Sequence, residues 1–163
     1  MPVTLSAMTL PLLQEYYRGF QMDADVFMDM SRFHEYRYDP ERVGAYYRRL
    51  KSARDRVDFL VMLGRKPIGE AALKRIDPQA RSCELAIHLQ SDSVKNLGFG
   101  TRAERLLLRY AFDTLEMSAV YADAVLKNTR SQRVLEKLGF ARMGEDGTFV
   151  HYRLNIDEWK EKL

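Results

Sequence analysis

Two short stretches of this chain place residue types that do chemistry at a fixed spacing. The first is Val94-Lys95-Asn96-Leu97-Gly98-Phe99-Gly100-Thr101, which follows an apolar strand pattern and opens a long amphipathic helical one. A helix start leaves four backbone N–H groups without intrahelical partners and gathers about half a positive charge there, so a glycine turn leading into it can hold phosphate oxygens. The same glycines are explained equally by a bend that needs positive φ. The two commonest phosphate loops are missing: there is no G-x-x-x-x-G-K-S/T, and the G-x-G-x-x-G dinucleotide pattern lacks its first glycine. The second stretch starts at Asn128, a preferred helix cap, and puts Ser131, Val134, Leu135 and Leu138 on one helical stripe. A hydroxyl on an apolar stripe wants a partner, either a carbonyl one turn back or a ligand.

A third group lies on residues 82–89, where Cys83, Leu85, Ile87 and Leu89 alternate with Ser82, Glu84, Ala86 and His88 as in a half-buried strand. Glu84 is either a general base or a solvated carboxylate. His88 has the intrinsic pKa of a general base, but it lies about 13 Å from Glu84 along an extended strand, so the two cannot serve one proton. It reads first as a structural or cofactor-side residue. Cys83 falls on the apolar side with no base beside it, which is the pattern of a core thiol. One cysteine and three scattered histidines have no ligand spacing, so no metal is expected.

The elements that must position these groups follow from period and punctuation. Residues 9–50 read as two helices, capped at Thr9 and broken at Asp39-Pro40. Residues 58–63 and 68–75 read as strands joined by the four-residue turn Gly64-Arg65-Lys66-Pro67, with a further strand at 3–8. Residues 101–116 form a helix with Arg102, Arg105 and Arg109 on its outer stripe. A strand at 119–126, a helix at 128–138 closed by Gly139, and strands at 140–143 and 149–154 complete the order. No repeat or linker divides the chain, so residues 1–163 read as one domain.

With 163 residues, 46% hydrophobic and 30% charged, the composition is that of a water-soluble globular protein. No apolar run approaches the roughly 20 residues of a membrane span. The start lacks the pattern of a secretory signal and a single cysteine gives no disulfide framework, so the default expectation is a cytoplasmic protein. The net charge of +3 is spread among acids, which does not call for nucleic acid but does favour encounter with a polyphosphate.

Together the two stretches resemble the GNAT N-acetyltransferase superfamily, and within it the ribosomal-protein alanine acetyltransferase-like branch. The family's acetyl-CoA loop, R/Q-x-x-G-x-G/A, is met by Lys95, Asn96, Leu97, Gly98, Phe99 and Gly100; its N-x-x-S/A hallmark with an E-K-x-G-F ending is met by Asn128, Ser131, Glu136, Lys137, Leu138, Gly139 and Phe140. The likeness covers about residues 59–154. It implies an α/β (α+β) GNAT fold: a central mixed, mostly antiparallel sheet of six to seven strands, splayed between the strands at 82–89 and 119–126 and flanked by about four helices. Acetyl-CoA would lie in the gap as co-substrate, its diphosphate on backbone N–H groups from Leu97 to Thr101. Ile87, His88 and Leu89 would run beside the pantetheine arm, Asn128 would reach it, and Lys95 and Lys137 would add to the cofactor site.

The implied activity is direct acetyl transfer, in a ternary complex, to the primary amine of a protein N-terminus or a small molecule. Glu84 stands where several members carry a catalytic glutamate. Leu135 stands where many carry a tyrosine that protonates the departing thiolate, which leaves Ser131 as the donor. Lys95 and Asn96 also depart from the family's usual Arg or Gln and Gly, although Asn tolerates positive φ. The acceptor wall would come from the helices before residue 50 and the last strand pair. There Asp25, Asp29 and Glu35 either draw in a cationic amine or form solvated helix faces, and Tyr152 either lines the wall or packs half in the core. A homodimer is common among such proteins, and neither nucleic acid nor membrane is implied as a partner. Two readings of other classes remain: a catalytically silent acyl-CoA sensor or interaction protein, motivated by Leu135, and a small basic nucleic-acid module, motivated by the arginine stripe.

Overall fold

The structure, a computed structural model, describes residues 2–23, 30–32 and 34–159. Its elements run β1 (Val3–Ala7), α1 (Leu10–Arg18), α2 (Pro40–Ser52), β2 (Val57–Leu63), β3 (Lys66–Asp77), β4 (Ser82–Leu89), α3 (Phe99–Arg109), β5 (Ala119–Val125), α4 (Thr129–Lys137), β6 (Ala141–Glu145) and β7 (Phe149–Asn155).

Thr9 caps α1 as its position suggests, its hydroxyl accepting the Leu12 N–H. The helix nevertheless ends at Arg18, and not near Asp39, because Gly19 leaves the helical φ/ψ region and turns its N–H back onto the Tyr16 carbonyl at 3.3 Å. Phe20 and Tyr36 pack instead against Tyr17 and each other, their own ring centroids 4.9 Å apart, and Met30–Arg32 form a 3₁₀ turn. Asp39 then caps α2 and Pro40 occupies its first position, as expected.

The β2–β3 connection is tighter than its sequence suggests. Leu63 pairs with Lys66, so only Gly64 and Arg65 form the loop, and the register shifts between Val61 and Met62. Pro67, which has no N–H to give to a ladder, sits beside that bulge. At the other end of β3 the Asp77 carboxylate accepts the N–H groups of Gln79 and Ala80, closing the turn into β4.

Seven strands form one sheet in the order β1-β2-β3-β4-β5-β7-β6. Every pair is antiparallel except β4 with β5, which pair in parallel only from Ser82 to Glu84 against Ala119 to Tyr121. Beyond Glu84 the two strands diverge, so from Leu85 onward the β4 edge that faces β5 has no strand partner. This is the splay implied by the family resemblance.

Alternation assigns the two sheet faces to different helices. Val61, Ala71, Leu73, Cys83 and Leu85 pack under α3 with Ala103, Leu107, Leu108 and Ala111. Leu60 and Met62 pack under α1 and α2 with Leu13, Tyr16, Val43 and Leu50. Residues paired across a ladder share a face, so Glu70, paired with Leu60 and His88, lies on the α1–α2 side together with Glu84. Among the described residues no helix is long and apolar enough to cross a membrane.

Candidate functional site at the splayed strands

The turn before α3 makes an uncapped helix start. Asn96 and Gly98 have φ of +61° and +81°, the first as expected of an asparagine, and Gly98 is the cap residue. No side chain caps the helix, whose ladder begins with the Arg102 N–H on the Gly98 carbonyl at 3.1 Å. The N–H groups of Phe99, Gly100 and Thr101 therefore have no intrahelical acceptor. Beside them opens a cavity of about 460 Å³, walled by Leu89, Asn96, Gly98, Gly100 and Thr101 and, from α4, by Arg130, Arg133 and Lys137. Among the described residues three cations and no carboxylate line it, so helix dipole and side-chain charge act together on an anion.

The glycines have separate reasons. Gly98 needs its positive φ, and a Cβ there would meet nothing within 4 Å. Gly100 is helical, and a Cβ would touch only Leu89 Cδ1, at 3.8 Å. Protein packing does not demand glycine at 100; the space above it belongs to the cavity. Leu97 is exposed and Phe99 half-buried, and neither side chain lines the cavity, so both can contribute only through the backbone.

Two further cavities continue the first, each sharing walls with the one before it. A small one, about 100 Å³, is lined by Asp23, Ile87, His88, Leu89, Lys95, Gly100, Glu104, Asn128, Arg130, Ser131 and Val134. One of about 320 Å³ brings Glu84, Ile87, Glu104 and Ser131 together with Lys74, Arg75, Asp123 and Leu135. The sequence-predicted residues are thus strung along one channel from the α3 N-terminus to Glu84, through the opening between β4 and β5.

Within it, Asn128 Oδ1 accepts the Ser131 N–H at 3.2 Å and so caps α4 while facing the channel. The Ser131 hydroxyl makes no hydrogen bond among the described residues, so it is not tied back to a carbonyl. Lys95 is turned inward: its Nζ meets the Asp23 carboxylate at 2.6 Å with 6% of the side chain exposed. Positive charge at the α3 N-terminus comes instead from Arg130, Arg133 and Lys137. His88 packs against Phe20 with ring centroids 5.1 Å apart, and its Nε2 has no hydrogen-bond partner. Burial, then the neighbouring Lys95, holds its pKa below that of an ordinary histidine, with Asp23 opposing.

Glu84, 15% exposed, is bridged by Lys74 at 3.6 Å and Arg75 at 3.1 Å. Cys83 is a core thiol, its pKa pushed up to about 11 by burial. Tyr152 is wholly buried in the same core, with an unpartnered hydroxyl, and does not line an acceptor wall.

Several groups escaped the reading of the sequence. Arg130 and Arg133 join Lys137, one helical turn apart. Glu104 points inward at 3% exposure, and burial pushes its carboxyl pKa up to about 8; the inward spacing 100, 103, 104, 107, 108 was the available clue. His151 is held between Asp123 at 2.6 Å and Asp146 at 2.9 Å, and these carboxylates raise its pKa.

On the α1–α2 side lies a cavity of about 650 Å³, walled by Tyr17, Met22, His34, Glu35, Tyr36, Val43, Tyr46 and the arginines Arg37, Arg42 and Arg49. Glu70 sits beneath, accepting hydrogen bonds from the Tyr46 hydroxyl at 2.9 Å and the Tyr17 hydroxyl. Burial raises the Glu70 pKa against the pull of these two hydroxyls. Glu35 borders this cavity, while Asp25 and Asp29 lie outside the described residues.

Residues 3–141 match the family described as Acetyltransferase (GNAT) domain, a match that starts well before the stretch carrying the sequence resemblance. The chain belongs to the GNAT acetyltransferase family, and its splayed seven-stranded sheet with four α-helices is that family's fold. Among solved structures it is similar to a provisionally named acetyltransferase from T. thermophilus, at 28% identity and a TM-score of 0.78, covering 98% of this chain and 88% of that one. The spermidine N-acetyltransferase from Vibrio cholerae in complex with CoA and spermine shares the fold at 20% identity and a TM-score of 0.75, with 96% of each chain covered. Over 102 residues the chain is 30% identical to Bacillus subtilis (strain 168) YdaF, named as a candidate ribosomal N-acetyltransferase; the alignment takes in 56% of this chain and 55% of YdaF. This chain thus matches about half the length of that curated relative.

Proposed function

We propose that this chain, read as one domain, is an acetyl-CoA-dependent N-acetyltransferase that passes the acetyl group directly to a primary amine in a ternary complex. The observation that carries this reading is the uncapped α3 N-terminus facing Arg130, Arg133 and Lys137 at the mouth of the β4–β5 opening. The diphosphate sits on the N–H groups of Phe99, Gly100 and Thr101. The pantetheine arm follows the unpaired β4 edge at Ile87 to Leu89, as an added strand would, past His88, Lys95 and Asn128. The thioester then comes to rest in the cavity shared by Glu84, Ile87 and Ser131.

The amine approaches from the α1–α2 side, opposite α3. Its neutral nitrogen attacks the carbonyl carbon while a backbone N–H of the unpaired β4 edge faces the developing oxyanion. Glu84 takes the surplus amine proton through water, and Ser131 hydrogen-bonds the departing sulfur. The acceptor is a peptide N-terminus or a small amine; YdaF is named for ribosomal N-acetyl transfer, and the Vibrio cholerae structure that shares the fold holds spermine. Release of CoA from acetyl-CoA, followed over a panel of N-terminal peptides and polyamines, tests the proposal. Turnover of any of them supports it; tight acetyl-CoA binding with no turnover favours the silent sensor.

A further inference from the structure

Acetyl transfer leaves an electron pair on sulfur, and something in the channel must supply the matching proton. Leu135 offers none from α4. The Ser131 hydroxyl is a weak acid that can pass a proton along but does not hold one ready for release. Glu104 is different. It stands one turn past Gly100 on α3 and lines both the small cavity beside the proposed pantetheine path and the larger one that holds Glu84, Ser131 and Leu135. It is 3% exposed, on a helix face otherwise made of Ala103, Leu107 and Leu108, and no hydrogen bond or ion pair links it to any described residue. A carboxyl group so placed keeps its proton, because none of the cations lining the two cavities, Lys95 and Arg130 in one and Lys74 and Arg75 in the other, pairs with it to repay the cost of burying its charge. A leucine would pack better there, so core packing does not account for the acid.

Two of the three carboxyl groups of this cavity, those of Glu84 and Glu104, are treated in opposite ways, while the third, on Asp123, is held by His151. Glu84 is paired with Lys74 and Arg75, whereas Glu104 has no partner among the described residues and its pKa is pushed up to about 8 by burial. A buried carboxyl group that keeps its proton is placed to donate it.

We propose that Glu104 is a catalytic residue of this chain, the acid whose protonated carboxyl group delivers a proton to the departing CoA thiolate, directly or through the Ser131 hydroxyl. This rests on the acetyl-transfer reading above. The nitrogen–carbon bond forms, and the carbon–sulfur bond breaks with its electron pair going to sulfur. The Glu104 proton moves to that sulfur, the proton lost by nitrogen leaves through Glu84 and water, and Glu104 regains one from solvent as CoA departs. Ordinary thiols ionise near 8.5, so donor and acceptor are closely matched.

Two substitutions test this: Glu104→Gln, which keeps the shape and gives up no proton, and Glu104→Leu. With an amine that the wild type acetylates, kcat in both falls by roughly 100-fold while the KM for acetyl-CoA stays within about threefold. Wild-type kcat declines as pH rises through about 8, and Glu104→Gln lacks that decline. A second readout needs no substrate. The folded-state pKa lies above the ordinary 4.5, so the wild type loses stability as pH climbs from about 4.5 through about 8, and the thermal-midpoint advantage of Glu104→Leu grows over that window. Near-wild-type kcat in either variant, an unchanged alkaline decline in Glu104→Gln, or a stability difference that ignores pH overturns the assignment to Glu104 alone. A wild type that acetylates no amine on the panel overturns it together with the reading beneath it.

Discussion

The two sides of the sheet opening are built in contrasting ways. The donor side needs three short segments, residues 85–89, 96–101 and 128–137, and much of its binding power is backbone: an unpaired strand edge and an uncapped helix start, joined by three cations one helical turn apart. The α1–α2 side draws Tyr17, Tyr36, Tyr46 and Glu70 from four separate stretches, and its geometry is held by side-chain contacts such as the two tyrosine hydroxyls on Glu70. Anion recognition by backbone is therefore compact in sequence and tolerant of change around it. Shape recognition by side chains is dispersed and rests on packing.

The largest effect should come from breaking the donor side where the fold does not depend on it. Gly100→Val puts two methyl groups into the space above the helix start, while its Cβ meets only Leu89 Cδ1 at 3.8 Å. Acetyl-CoA affinity should drop by more than about 100-fold, or roughly 2.7 kcal/mol, with the thermal midpoint almost unmoved. Calorimetric titration beside a melting curve separates the two. An equivalent cut on the opposite side should do the reverse. Glu70→Leu leaves the Tyr17 and Tyr46 hydroxyls without their acceptor and should cost about 2–4 kcal/mol of stability in denaturant titration, while acetyl-CoA affinity in the folded protein changes little. If Glu70→Leu abolishes acetyl-CoA binding while the protein remains folded, the two sides are not independent.

Ser131 stands on the seam between them, and its loss should have the smallest effect. Ser131→Ala removes a hydroxyl that the fold does not use, so kcat should fall by about tenfold with the KM for acetyl-CoA unchanged. Steady-state kinetics at saturating amine decides this, and full retention of kcat would remove Ser131 from the proton path.

The same contrast explains what the sequence made legible. The sheet splay, the strand at Ser82–Leu89, the positive φ at Asn96 and the core role of Cys83 all follow from local period, turn chemistry or a motif, and each stands where expected. The helix expected to run from Thr9 toward Asp39 was misjudged because Gly19 and the pull of the aromatic cluster outweigh a helical-looking pattern. Lys95 gave a similar lesson, since its partner Asp23 lies 72 residues away and no spacing rule reaches that far. Arg130 and Arg133 were in plain view but acquire meaning only when α4 is seen facing α3. Glu104 hid inside an amphipathic helix whose charged residues are otherwise on the outside.

The central claim is that the α3 N-terminus and the α4 cations hold a diphosphate. Titrating the wild type with acetyl-CoA and with acetyl-pantetheine, which lacks the diphosphate and nucleotide, tests it most directly. One-to-one binding of acetyl-CoA, with acetyl-pantetheine weaker by roughly 100-fold or more and the gap narrowing in high salt, is the predicted result. Equal affinity for the two ligands, or no binding of acetyl-CoA, would contradict it.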